Sequence, residues 1–116
     1  MPIMTAIPLS ASSGGRPIPI IAVTSPGTLL HTLAPAPGVV EDVYLDIYNT
    51  ATADYAVTIE AGATATIGHL SVLIPAQSFA RVLAGVRFLA ATDTIRAFAT
   101  ATGFFEAMGG VNKATP

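Results

Sequence analysis

Few side chains in this sequence could do chemistry, and their spacing limits what that chemistry could be. His31 and His69 are the groups able to exchange a proton near neutral pH. His31 sits among Leu29, Leu30 and Leu33, which points to a packed or interfacial imidazole rather than a base or ligand. His69 follows Gly68 at the start of an apolar run and reads as a turn residue. Asp42, Asp46, Asp54 and Glu60 could offer hard oxygen ligands to calcium, but their spacing matches no calcium loop. They read as solubilising charges on an exposed face and at a turn. A zinc site usually takes roughly three or four protein ligands, and this chain has no Cys to add to its two His. Ser12-Ser13-Gly14-Gly15-Arg16 has the glycines of a phosphate cradle, yet Arg16-Pro17 follows where a P-loop has Lys-Ser/Thr opening a helix. A hinge is expected there. No Ser lies in a Gly-x-Ser-x-Gly elbow. The residues therefore predict no catalytic, cofactor-binding or metal site, and a protein that is not an enzyme.

Aromatic side chains are the other candidates: Tyr44, Tyr48, Tyr55, Phe79, Phe88, Phe98, Phe104 and Phe105, with no Trp. Tyr44 and Tyr48 share one face of a predicted strand. Aromatics so displayed can stack on a sugar or base, or can be half-buried against a neighbouring subunit. Contact with a neighbour is preferred.

Composition favours that preference. The 116 residues suit one domain. Charged residues are only 10 % of the chain against 52 % hydrophobic, and the mean hydropathy is +0.64; a typical soluble domain carries about 25 % charged. No apolar stretch approaches the roughly 18–20 residues of a membrane helix, so a membrane is not expected. The basic residues Arg16, Arg81, Arg87, Arg96 and Lys113 are scattered and the net charge is −2, which leaves no footprint for nucleic acid. The deficit of charge reads as surface covered by partners, and a small chain without disulfides gains from oligomerisation. Met1–Thr5 lacks the basic region of a signal peptide, so no Sec export is expected.

Three segments are expected. Residues 1–26 carry Pro2, Pro8, Pro17, Pro19 and Pro26 around Ser10-Ala11-Ser12-Ser13-Gly14-Gly15. Proline excludes helix and central strand here, yet Ile3, Ile7, Leu9, Ile18, Ile20 and Ile21 are too apolar for a free linker. An extended arm lying on its own domain or on a neighbour is predicted, with these six residues and Tyr44 and Tyr48 as interface.

Residues 27–112 form the body. Asp42–Asn49 alternates Val43, Leu45 and Ile47 with Tyr44, Asp46 and Tyr48, and Asp54–Glu60 alternates likewise; the two predict an antiparallel hairpin across the turn at residues 49–54. Thr28–Ala34, ended by Pro35-Ala36-Pro37-Gly38, His69–Ile74, Asp93–Thr102 and Phe104–Met108 are further strands. In residues 78–91 the positions Phe79, Val82, Leu83 and Val86 trace a helical stripe, while Gly85 favours two short strands; the latter is preferred. Residues 113–116 are expected to be a loose or partner-bound tail. Strands at this spacing predict an all-β, antiparallel β-sandwich, of the jelly-roll or β-tulip kind.

The sequence also carries Gly14-Gly15-Arg16-Pro17-Ile18, Thr24-Ser25-Pro26-Gly27-Thr28-Leu29-Leu30-His31-Thr32, Val43-Tyr44-Leu45-Asp46-Ile47-Tyr48-Asn49-Thr50, Leu73-Ile74-Pro75-Ala76, Thr94-Ile95-Arg96-Ala97-Phe98-Ala99 and Gly109-Gly110-Val111-Asn112-Lys113. In this order it resembles small virion structural proteins of tailed bacteriophages. The resemblance implies a head decoration (cement) protein, or else a tail, spike or fibre component, with a β-sandwich or β-tulip fold that is often trimeric and has arms reaching neighbours. Expected partners are copies of itself, trimers being favoured, and the major capsid protein or other virion proteins. The arm would add a tethered contact at high effective concentration, so loss of residues 1–26 should leave a folded domain that no longer assembles normally.

Overall fold

A computed structural model describes residues 3–24, 26–33, 39–61, 69–88, 94–101 and 103–115. All regular structure among them is strand: β1 (Ile3–Pro8), β2 (Ile18–Pro19), β3 (Thr28–Thr32), β4 (Val40–Asn49), β5 (Tyr55–Ala61), β6 (His69–Ile74), β7 (Ser78–Phe88), β8 (Thr94–Phe98) and β9 (Phe105–Thr115). One sheet has the order β1-β9-β4-β7, with β2 also on β9; the other has β3-β8-β5-β6. Every pairing is antiparallel. Taking β1 and β2 as one interrupted strand, this is the strand order of a jelly roll, a double-sheet β-sandwich. Among the described residues no helix is long and apolar enough to cross a membrane.

Alternation supplies the core. Val43, Leu45 and Ile47 of β4 and Leu83 of β7 face Val57, Ile59, Ile74, Ile95 and Ala97 of the other sheet, all buried. Full burial of an aliphatic side chain of this size contributes about 1.5–3 kcal/mol. The outward positions of β4 are Asp42, Tyr44, Asp46 and Tyr48, as period two requires.

Several expectations need correction. Strands β4 and β5 do not form a hairpin: β4 pairs with β7 and β9, and β5 with β6 and β8. The chain crosses from one sheet to the other at residues 49–54 because Asn49 takes over the local hydrogen bonding. Its Nδ2 donates to the Ala53 and Ile74 carbonyls, and its Oδ1 accepts the Ala51 N–H, each at 2.9 Å. The hairpin is β5–β6, and its connecting residues 62–68 lie outside the described residues, as do Ala34–Gly38 beyond β3.

Residues 78–88 are one strand, neither a helix nor two strands; residues 89–91 of that window are outside the described residues. The register with β4 skips Val82 and Gly85, and Gly85 has φ +72°. Each such bulge shifts the inside–outside phase by one residue, so Val82 and Leu83 both turn toward the core and the strand mimics helical spacing.

The expected tail is strand too. Lys113, Ala114 and Thr115 continue β9, and Val40 and Glu41 of β4 pair with Ala114 and Lys113. The Gly109-Gly110 pair does not end β9 but lets it run between β1 and β4: a Cβ at Gly109 would collide with the Tyr44 backbone. The arm likewise folds onto its own domain. β1 pairs with β9 from Ile3↔Thr115 to Pro8↔Gly110, and Ile18 and Pro19 pair with Ala107 and Glu106. An edge position is where proline-rich strand is tolerated.

Candidate functional site

The surface of the β1-β9-β4-β7 sheet that faces away from the core carries three of the aromatic candidates, Tyr44, Tyr48 and Phe79. Tyr44 and Tyr48 project from β4, and cross-strand pairing sets Phe79 beside Tyr48 and Arg81 beside Asp46. The Tyr48 and Phe79 rings lie 5.2 Å apart, tilted by 35°, within the range where aromatic pairs attract. Arg81 donates from Nε to Asp46 Oδ1 at 2.9 Å and from Nη2 to Oδ2 at 3.2 Å. The Arg81 guanidinium also lies 5.8 Å from the centre of the Tyr44 ring. Asp46, through its hydrogen bond first and its charge second, holds Arg81 still more firmly protonated than usual. The Tyr44 ring covers Gly85, where a Cβ would stand 3.1 Å from the phenol oxygen. On the other flank, β9 sets Met108 opposite Asp46 and Glu106 opposite Tyr48. The result is a mixed patch in which Tyr44, Tyr48, Phe79 and Met108 surround the Asp46–Arg81 pair, with Glu106 beside Tyr48.

Of the eight residues expected at an interface, Tyr44 and Tyr48 are on this patch. Leu9, Ile18 and Ile20 are 2 %, 7 % and 1 % exposed and belong to the chain's own core, which corrects their expected contact with a neighbour. Ile7 is half-buried against that core. Ile3 pairs with Thr115 through the backbone, and its side chain lies outside the described residues. Ile21 is exposed and its N–H donates to Thr28 Oγ1, away from the two tyrosines along the chain.

Phe79, at 56 % exposure, is an aromatic candidate whose place beside Tyr48 the helical stripe obscures, and Leu73, at 64 %, is not among the expected interface residues. Leu73 had a signal: it is the apolar residue out of phase with Leu70, Val72 and Ile74.

Both histidines and the carboxylates Glu41, Asp54 and Glu60 are tied into the fold. Buried His31 accepts the Ser10 N–H at Nδ1, 3.0 Å, and its Nε2 lies 2.7 Å from Glu41 Oε1. An Nδ1 that accepts fixes the proton on Nε2. Ser10 Oγ meanwhile accepts the Thr32 N–H, so serine, imidazole and carboxylate are close without the geometry of a nucleophilic relay. Glu60 is buried, not a solubilising charge: Oε1 accepts the Gly27 N–H at 2.6 Å, and Oε2 lies 3.1 Å from His69 Nε2. His69 is thus a strand residue rather than a turn residue. Asp54 accepts the Ala76 N–H. Among the described residues no three of His, Asp and Glu come together as metal ligands would.

Compared with protein-family models, with curated proteins and with solved structures, the chain finds no match.

Proposed function

We propose that this chain is a non-enzymatic structural subunit of a virion, most simply a capsid decoration or cement protein that packs against copies of itself and against the major capsid protein. The observation that carries this is the exposed apolar surface. Tyr48, Phe79, Val86 and Met108 are exposed large hydrophobics of one sheet, and Leu70 and Leu73 of the other, in a chain only 10 % charged. Monomers seldom leave contiguous apolar surface uncovered, and a specific contact buries roughly 800 Å² on each partner. Jelly rolls serve in viral capsids but also in lectins and cupins, so the architecture adds only analogy.

The test is composition of particles. Virions or virus-like particles purified from the source should contain the chain at a fixed ratio to the major shell protein by quantitative peptide mass spectrometry. Its absence from washed particles would contradict the proposal.

A second reading has one observation in its favour. Tyr44, Tyr48 and Phe79 form an aromatic face on a rigid sheet, which suits stacking on a glycan of a receptor, as in a tail, spike or fibre module. A glycan-array signal abolished by Tyr48→Ala together with Phe79→Ala would support it over the cement role.

A further inference from the structure

The four sheet edges are not equivalent. β3 is covered: after β1 the chain detours so that Ala11 N–H donates to the Leu30 carbonyl, and Thr32 N–H donates to Ser10 Oγ. β1 contains Pro8 and has Lys113 beside it, two of the devices that blunt an edge. β7 is bulged at Val82 and Gly85 and carries Arg81. β6 has none of these. Its six residues pair regularly with β5, from Tyr55↔Ile74 to Glu60↔His69, and no strand among the described residues lies on its other side. It has no Lys, Arg, Asp, Glu or Pro, and Leu70 and Leu73 are exposed on it.

We infer that β6 pairs antiparallel with β6 of a second copy about a twofold axis, joining two four-stranded sheets edge to edge. This rests on the self-association proposed above and assigns the surface that performs it. An axis perpendicular to the sheet keeps inward side chains inward, so opposed residues must have the same parity and the axis passes beside Ser71 or Val72. Beside Val72, Leu70 opposes Ile74 and Leu73 opposes Ser71. Beside Ser71, Leu70 opposes Val72 and Leu73 opposes His69. Neither register sets a charge against its own copy, and self-complementarity is what a twofold contact demands. His69 is already held by Glu60. A partner of opposite charge has nothing on this edge to recognise.

The chain has no Cys, so single cysteines report the contact directly. Ser71→Cys should give a covalent dimer with a short bismaleimide matched to the roughly 5–8 Å between opposed and diagonal positions of a strand pair. Thr32→Cys, exposed on the opposite edge of the same sheet, should not. Leu73→Lys, at a position already facing solvent, should keep the circular dichroism and unfolding midpoint of the parent while raising the dissociation constant at least about tenfold by sedimentation. A wild-type chain that is multimeric, yet neither cross-links at Ser71→Cys nor weakens with Leu73→Lys, overturns the β6 assignment alone. A wild-type chain that stays monomeric overturns both this and the self-association it rests on.

Discussion

Asn49 Nδ2 donates to the Ile74 carbonyl at 2.9 Å, joining the end of β4 in one sheet to the end of β6 in the other. Beside that bond the Gln77 N–H donates to the Ala51 carbonyl, and the Ala76 N–H donates to Asp54. Two crossings between the sheets are therefore fastened to each other at one end of the sandwich, and Asn49 is the residue common to both.

Replacing Asn49 by Ala removes three hydrogen bonds at a buried position. Leaving buried groups unsatisfied costs about 1–3 kcal/mol each where water cannot reach them. Asn49→Ala should lower stability by roughly 2–4 kcal/mol in urea denaturation. A change below about 0.5 kcal/mol, the size of an ordinary surface substitution, would show that the crossings hold without it.

His31 should carry a ring proton on Nε2 and none on Nδ1, because Nδ1 accepts the Ser10 N–H. Long-range nitrogen–proton NMR at neutral pH should show an unprotonated Nδ1 and a protonated Nε2. His31→Leu removes one partner of buried Glu41 and should cost about 2–4 kcal/mol. A protonated Nδ1 would contradict the hydrogen bonding described.

Much of the sandwich was legible in the alternation of β4, β5, β6 and β8, since a half-buried strand must place apolar residues at every second position. The partner of each strand was not. Val43, Leu45 and Ile47 would look the same whether β5 lay beside them or across the core, and the pairing of β4 with β7 and β9 decides it. Phase is also hidden wherever a bulge intervenes, as at Val82 and Gly85. β9 also runs on past Met108, the expected end of that strand, and close approach of the Tyr44 backbone is what requires glycine at Gly109. Of the candidate site, Tyr44 and Tyr48 were visible on one strand face. Phe79 and Arg81 join them only through the β4–β7 register.

The N-terminal segment gives a prediction opposite to the sequence-based one. Removing residues 1–26 deletes β1, β2 and the core side chains Leu9, Ile18 and Ile20. Those three alone represent on the order of 5 kcal/mol of burial, against a total stability of about 5–15 kcal/mol for a domain. The truncated chain should lose its cooperative unfolding transition by circular dichroism. A folded product would show that the segment is dispensable.

Gly109→Ala should destabilise by about 2 kcal/mol or more, because the new methyl group meets the Tyr44 backbone rather than a side chain that can swing aside. Gly110→Ala, whose Cβ would lie 3.3 Å from the Ile7 carbonyl, should cost less. Equal and negligible losses by urea denaturation would place β9 differently between β1 and β4.

The proposed function requires that the exposed apolar surface be covered by further protein, beginning with copies of the chain itself. Sedimentation equilibrium of the 116-residue chain from low to high micromolar concentration measures that coverage. A mass that climbs to a multiple of 11.8 kDa is predicted; a species fixed at 11.8 kDa across the whole range would contradict the account.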